Sequence, residues 1–194
     1  MKNIRINGQE SGLRGDGLPR VVDVIELIKN SIDPDHMITS ILVDGRELTD
    51  DEWTATTNRF ETSVIEIETG EPREFVSTRL AASSAVVQSC FMEFRDARKL
   101  FKAGKMQDAN QRLIEGVNCL QAFFEWYGTM LELLDDKERE EYSMQSIIDD
   151  VAEVCKKICQ QQLYQSWWAL AETLENQLEP LLDQMEDKCS TFAH

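Results

Sequence analysis

Proline, glycine and histidine are scarce in this sequence, and no long apolar run occurs. The 194 residues include 4 prolines, 9 glycines and 2 histidines. Between Pro72 and Pro180 there is no proline, so most of the chain carries no residue that breaks a helix. No apolar stretch approaches the roughly 20 residues that cross a bilayer, so no membrane span is expected. The opening "MKNIRINGQES" lacks the apolar centre of a signal peptide, and a cytoplasmic protein is expected. Its 5 cysteines, an odd number, are then expected as reduced thiols. Basic charge is also short: 20 Lys and Arg stand against 36 Asp and Glu, a net of −16. That balance excludes the basic patch of a nucleic-acid surface and disfavours an anionic membrane. With 42% hydrophobic residues, the chain can still build an ordinary globular core.

The charge is unevenly spread. Residues 73–105 carry seven basic and three acidic side chains, whereas 106–194 carry six basic and eighteen acidic. Helices with complementary faces are one reading of that contrast. Independently solvated faces are the other.

Texture changes near Pro72, which sets the expected domains at 1–72 and 73–194. In the first, "KNIRING" and "SVIEIET" alternate apolar and polar residues, as half-buried strands do. Between them Val21, Val24, Ile25 and Ile28 recur at helical spacing after Pro19. "ITSILVDGREL" reads as a strand, an Asp44-Gly45 turn and a short returning strand. A small mixed sheet with one helix, of α+β class, is expected. "ILVDGREL" after a helix, followed by "SVIEIET", resembles the β-grasp (ubiquitin-like) family. The resemblance implies a docking domain. Conjugation is not implied, because Gly70 runs on into further chain.

The second domain is expected to be all-α, an antiparallel four-helix bundle. Val87, Cys90, Phe91, Phe94, Ala97, Leu100 and Phe101 mark one helix over 76–103, stopped at Gly104. Met106, Ala109, Leu113, Val117, Leu120, Phe124, Tyr127, Leu131 and Leu134 mark the next, over 106–134. Ile147, Val151, Val154, Cys155 and Ile158 mark a third, and Leu170, Leu174, Leu178, Leu181, Leu182 and Met185 a fourth, parted by a turn near "QQQLYQS". Pro180 is expected to bend that last helix. "LFKAGKMQDANQRLIEGVNCLQAF", "LELLDDKEREEY" and "LAETLENQLEPL" together resemble the flagellin-export chaperone family. That resemblance implies a helical bundle that wraps a disordered protein tail.

Chemistry is sparse. Cys155 and Cys159 stand at i and i+4 on one helix face, half of a metal or redox site. Buried thiols are the competing reading. His36 between acids reads as turn chemistry around Pro34. "GLRGDG" lacks the lysine of a phosphate loop. No cofactor, metal or catalytic residue is implied. What remains is "QSWWALAETLENQLEP". Adjacent helical positions diverge by ~100°, so Trp167 and Trp168 cannot both face one way. Trp167, Trp168, Tyr164 and Leu174 are the residues expected at a protein partner's surface, because tryptophan and tyrosine anchor interfaces. The expected function is a non-catalytic, protein-binding adaptor or chaperone-like module that takes a helix or a disordered segment. A thiol or metal protein using Cys155 and Cys159, or a structural self-associating homodimer, are the alternatives.

Overall fold

The computed structural model describes residues 3–13, 18–56 and 63–192. Most of the "GLRGDG" loop and His194 lie outside these residues. The chain divides into two compact units, Met1–Phe75 and Val76–His194.

In the first unit, β1 (Asn3–Ile6) folds back into the short β2 (Gln9–Glu10). Asn7 and Gly8 make the turn at φ of 50° and 77°, the paired positive values that a tight hairpin needs. Helix α1 (Val21–Lys29) follows, its start held by the Arg20 N–H donating to the Asp23 carboxylate at 3.1 Å. Strands β3 (Met37–Val43) and β4 (Val64–Gly70) complete a four-stranded sheet in the order β2-β1-β4-β3. β4 runs parallel to β1 and antiparallel to β3. Ile65 and Ile67 alternate inward and pack with Ile4, Val43 and the α1 stripe Val21, Val24, Ile25 and Ile28. The unit is therefore α+β, with a mixed sheet, as its alternation and helical spacing imply.

The strand expected after Asp44-Gly45 does not form. Only Arg46 bridges back to Val43. The Arg46 guanidinium donates to both Glu52 oxygens at 2.8 and 2.6 Å, and Glu52 also accepts the Thr49 N–H at 3.0 Å. Those bonds start a short helix, α2 (Asp50–Trp53), where a strand would have continued.

The second unit is helical. The helix expected over 76–103 is two: α3 (Pro72–Ala82) and α4 (Ser84–Lys102). Buried Ser83 interrupts them, its hydroxyl donating to the Leu80 carbonyl at 2.6 Å. Gly104, at φ 74°, closes α4. Its N–H donates to Phe101 O at 3.1 Å, and the Lys105 N–H to Leu100 O at 3.0 Å, so two orphan carbonyls are satisfied. Helix α5 (Met106–Glu132) then returns along α4. Phe94 lies so close to Gly116 that a methyl there would stand 3.1 Å from the ring. Short α6 (Asp136–Glu141) is capped by the Asp135 carboxylate accepting the Glu138 N–H at 2.8 Å.

Helix α7 (Gln145–Leu163) ends in a turn at Tyr164–Ser166, followed by α8 (Trp167–Thr173). A widened π-helical turn, Leu174–Leu178, leads into α9 (Glu179–Thr191). Pro180 has no N–H to give to a carbonyl four residues back, and the widened turn just ahead of it takes up the irregularity. Leu170, Leu174, Leu178, Leu182 and Met185 are wholly buried. α4 packs on α5 and also on α8, the π turn and α9, while α7 packs on α8 and α9.

The charge contrast resolves into paired faces at one of these seams. Arg98 bonds Glu175, and Lys102 bonds Glu175 and approaches Glu172 at 3.7 Å. Arg98 Nε lies 2.7 Å from Glu179 Oε1, an ion contact without hydrogen-bond alignment. Burial pushes the Glu179 carboxyl up, and the Arg98 charge opposes it. Among the described residues no helix is long and apolar enough to cross a membrane.

Candidate functional site

The α5 core stripe is as expected at Ala109, Leu113, Leu120 and Tyr127, but Gly116 and Phe123 stand in the core where Val117 and Phe124 were expected. Leu113, Gly116, Leu120, Phe123, Tyr127 and Met130 are buried, while Val117 is 40% and Ile114 49% exposed. Helix α5 carries two adjacent apolar stripes. Gly116, with no side chain, belongs to the inner one because Phe94 occupies the space beside it. Ile114, Val117 and Phe124 form the second stripe, turned toward α7.

Helices α5 and α7 do not pack backbone to backbone. They are joined at both ends. At one, the Gln162 amide donates to Asn110 Oδ1 at 3.0 Å. At the other, the Tyr127 hydroxyl donates to Tyr142 O at 2.7 Å and accepts the Met144 N–H at 3.0 Å. Burial pushes that hydroxyl up to about 12, which keeps it protonated as a donor. Between these fastenings lies an open groove of about 650 Å³, walled by Val117, Leu120 and Phe124 from α5 and Val151, Ala152 and Cys155 from α7. A second depression of about 260 Å³ shares Val117, Cys155 and Cys159 and reaches Ile114 and Gln162, so the two are continuous. From Asn110 to Tyr127 the groove spans about 25 Å of helix. The apolar side chains on its α7 wall, Val151, Ala152, Cys155 and Cys159, are branched or small.

The two ends of the α7–α8 turn differ in kind from the groove. Gln165 sits at φ 54°, the left-handed region that glycine favours. The Ser166 N–H donates to Gln161 O at 2.8 Å and the Gln165 N–H to Gln162 O at 3.0 Å, the same closure that Gly104 makes. Around this strained turn Leu163 and Tyr164 are each 82% exposed and Trp168 75%. Gln162 lines the groove, so this apolar knob begins where the groove ends.

Of the expected partner residues, then, Tyr164 and Trp168 are on the surface together. Trp167 is half-buried, its ring stacked on Phe101 at 5.5 Å between centroids. Leu174 offers no surface at all. It belongs to the leucine row against α4 and α7, and its assignment to a partner surface is corrected to core. The groove itself went unread in the sequence; the signal was the pair Val117 and Phe124, spaced with Ile114 as a stripe of their own.

Cys155 and Cys159 do share one face of α7, as the groove wall. Burial, then the neighbouring Cys159, pushes the Cys155 thiol up to about 11, which disfavours the thiolate that metal binding and nucleophilic chemistry need. Among the described residues no group of three His, Cys, Asp or Glu side chains is placed to hold a metal ion. Cys90 and Cys189 are buried elsewhere, Cys189 against Met144 at 3.9 Å. His36 sits in a turn whose Asp33 carboxylate accepts the Asp35 N–H at 3.0 Å, as the reading around Pro34 implies. On the other side of α5 a concavity of about 450 Å³ is lined by Val86, Ala122, Phe123, Trp126 and Arg79.

Comparison with known proteins finds no matching family model, no matching curated protein and no matching solved structure.

Proposed function

We propose that this protein is a non-catalytic binding module that takes a segment of another protein in the groove between α5 and α7. The observation that carries this reading is the open seam: two helices fastened at both ends, apolar along both walls, and unfilled between. Exposed contiguous apolar surface of that kind marks an interaction site. A helix laid between two helices is a common way to cover one. The second unit is read here as an antiparallel four-helix bundle with one seam left open. The first, β-grasp-like in its central parallel pair β1 and β4, is read as a separate docking domain in an adaptor or chaperone-like protein. Tyr164 and Trp168, projecting at the groove's end, are read as secondary anchors.

A selection of displayed 18-residue helical peptides on the full chain tests the reading. Recovered binders are expected to compete with one another and to lose binding when Val117→Arg places a charge in the wall. Binders that compete with one another yet ignore both Val117→Arg and Phe124→Arg would place the binding surface elsewhere.

A further inference from the structure

Resting on that reading of the groove, we propose that its occupant is a basic amphipathic helix of another protein, about 17 residues long. The length follows from the fastenings. Seventeen positions separate Asn110 from Tyr127, and the Gln162–Asn110 and Tyr127–Met144 bonds close the trough at each end. A helix of four to five turns fills that span, presenting apolar residues at i, i+3, i+4 and i+7 to Val117, Leu120, Phe124, Val151 and Cys155. An extended segment fits less well. It would bring unpaired backbone N–H and C=O groups against walls that offer almost only carbon and sulfur.

The charge of the occupant follows from the rim. Two charged residues line the trough, Glu125 and Lys156. Lys156 is already neutralised by Glu153 at 2.5 Å. Glu125 receives only the Gln121 amide at 2.9 Å, and no cation pairs with it among the described residues. Asp149 and Asp150 are exposed farther up α7. With Lys156 and Glu153 offsetting each other, Glu125 is the unpaired charge among the described lining residues, within a chain of net charge −16. Lysine or arginine flanking the apolar stripe would find partners there. A second copy of this chain would bring the same acidic charge to the seam and be repelled at low salt.

Three defined peptides test this by titration calorimetry on the full chain. One is an 18-residue leucine–lysine peptide with a helical leucine stripe. The second replaces each lysine by glutamate. The third keeps the leucine–lysine composition with the order shuffled. The striped basic peptide is expected to bind at least tenfold more tightly than either of the others. Val117→Ser with Phe124→Ser, which removes wall without adding charge, is expected to weaken it at least tenfold. Glu125→Lys is expected to weaken it at least threefold. Val117 is already 40% exposed, and circular dichroism of each variant confirms folding. Equal binding of the glutamate peptide, abolished by the double serine variant, would keep the groove and overturn the basic partner. Binding of both basic peptides, indifferent to the double serine variant, would be surface attraction and would overturn both. No binding by any peptide would do the same. Sedimentation showing self-association that the double serine variant abolishes would give the groove to a second copy and overturn this proposal.

Discussion

Two seams of the helical unit invite comparison. Where α4 meets α8 and α9, wholly buried leucines fill the space and Arg98 and Lys102 reach Glu172, Glu175 and Glu179. Where α5 faces α7, Val117 and Ile114 are left 40% and 49% exposed, and hydrogen bonds at the two ends fasten the helices. Both seams are apolar, so hydrophobicity does not separate them. Side-chain length and charge do. Leucine and arginine reach across the closed seam; on the α7 wall of the open one, valine, alanine and cysteine face Val117, Leu120 and Phe124. A seam with short side chains on one wall, between fixed ends, keeps apolar area available to something else.

The largest effect expected is at the edge of the closed seam. Trp167→Ala removes the ring stacked on Phe101 and should cost about 3–5 kcal/mol in urea unfolding. Trp168→Ala, one residue on, should stay within about 0.5 kcal/mol. Equal losses at both would erase the distinction between core and knob. Next is the charge network. Arg98→Met strands Glu179 in a mostly buried position, while Glu175 keeps Lys102, and should cost about 3 kcal/mol. If Arg98→Met were neutral, leucine packing alone would close that seam.

Two turns with one hydrogen-bond pattern sharpen the picture further. Gly104 pays nothing for its left-handed backbone, whereas Gln165 does. Gln165→Gly should stabilise by about 1 kcal/mol in the same unfolding assay, and Gly104→Gln should lose about as much. If Gln165→Gly gains nothing, the strain at the knob is not real. Smallest is a control in the first unit. Glu52's carboxyl is held down to about 2 by the Arg46 hydrogen bonds and the Thr49 N–H. A depressed carboxyl stabilises the folded state above its ordinary value of 4.5 and loses that contribution as pH falls toward about 2. Hydrogen exchange at β3 and β4 should therefore separate Glu52→Gln from the parent at neutral pH and cease to do so near pH 2. A separation that persists at pH 2 would assign the effect to something other than ionisation.

How much of this was legible depends on how many apolar stripes a segment carries. The α1 residues Val21, Val24, Ile25 and Ile28 form one stripe, and all four are buried as spaced. Ile65 and Ile67 alternate with glutamates and point inward for the same reason. Helix α5 carries two stripes, and a count of large apolar residues merges them. Gly116 is invisible to such a count, yet it holds the core position opposite Phe94. Leu174 looked like a partner residue because it lies near the tryptophans in sequence; helix phase puts it inside. The strand expected after Asp44-Gly45 failed because Arg46 and Glu52 find each other six residues apart, a pairing that alternation cannot reveal. The break at Ser83 rests on one hydroxyl and one carbonyl, with no glycine or proline to announce it.

The widened turn at Leu174–Leu178 also solves a problem of phase. Leu170, Leu174, Leu178 and Leu182 are spaced by four, three times in succession. On a regular helix, at 100° per residue, three such steps carry a stripe about 120° around the cylinder. The last leucine would leave the core. A turn closed from i to i+5 holds one residue more than usual and winds the stripe back by about 100°. All four leucines can then face inward, and all are buried. In genetic terms the segment reads as an ordinary helix with a single codon inserted. Removing one residue, Asn176, would restore a regular leucine register, with steps of four and three, but would leave Pro180 inside a regular helix, which its ring would kink.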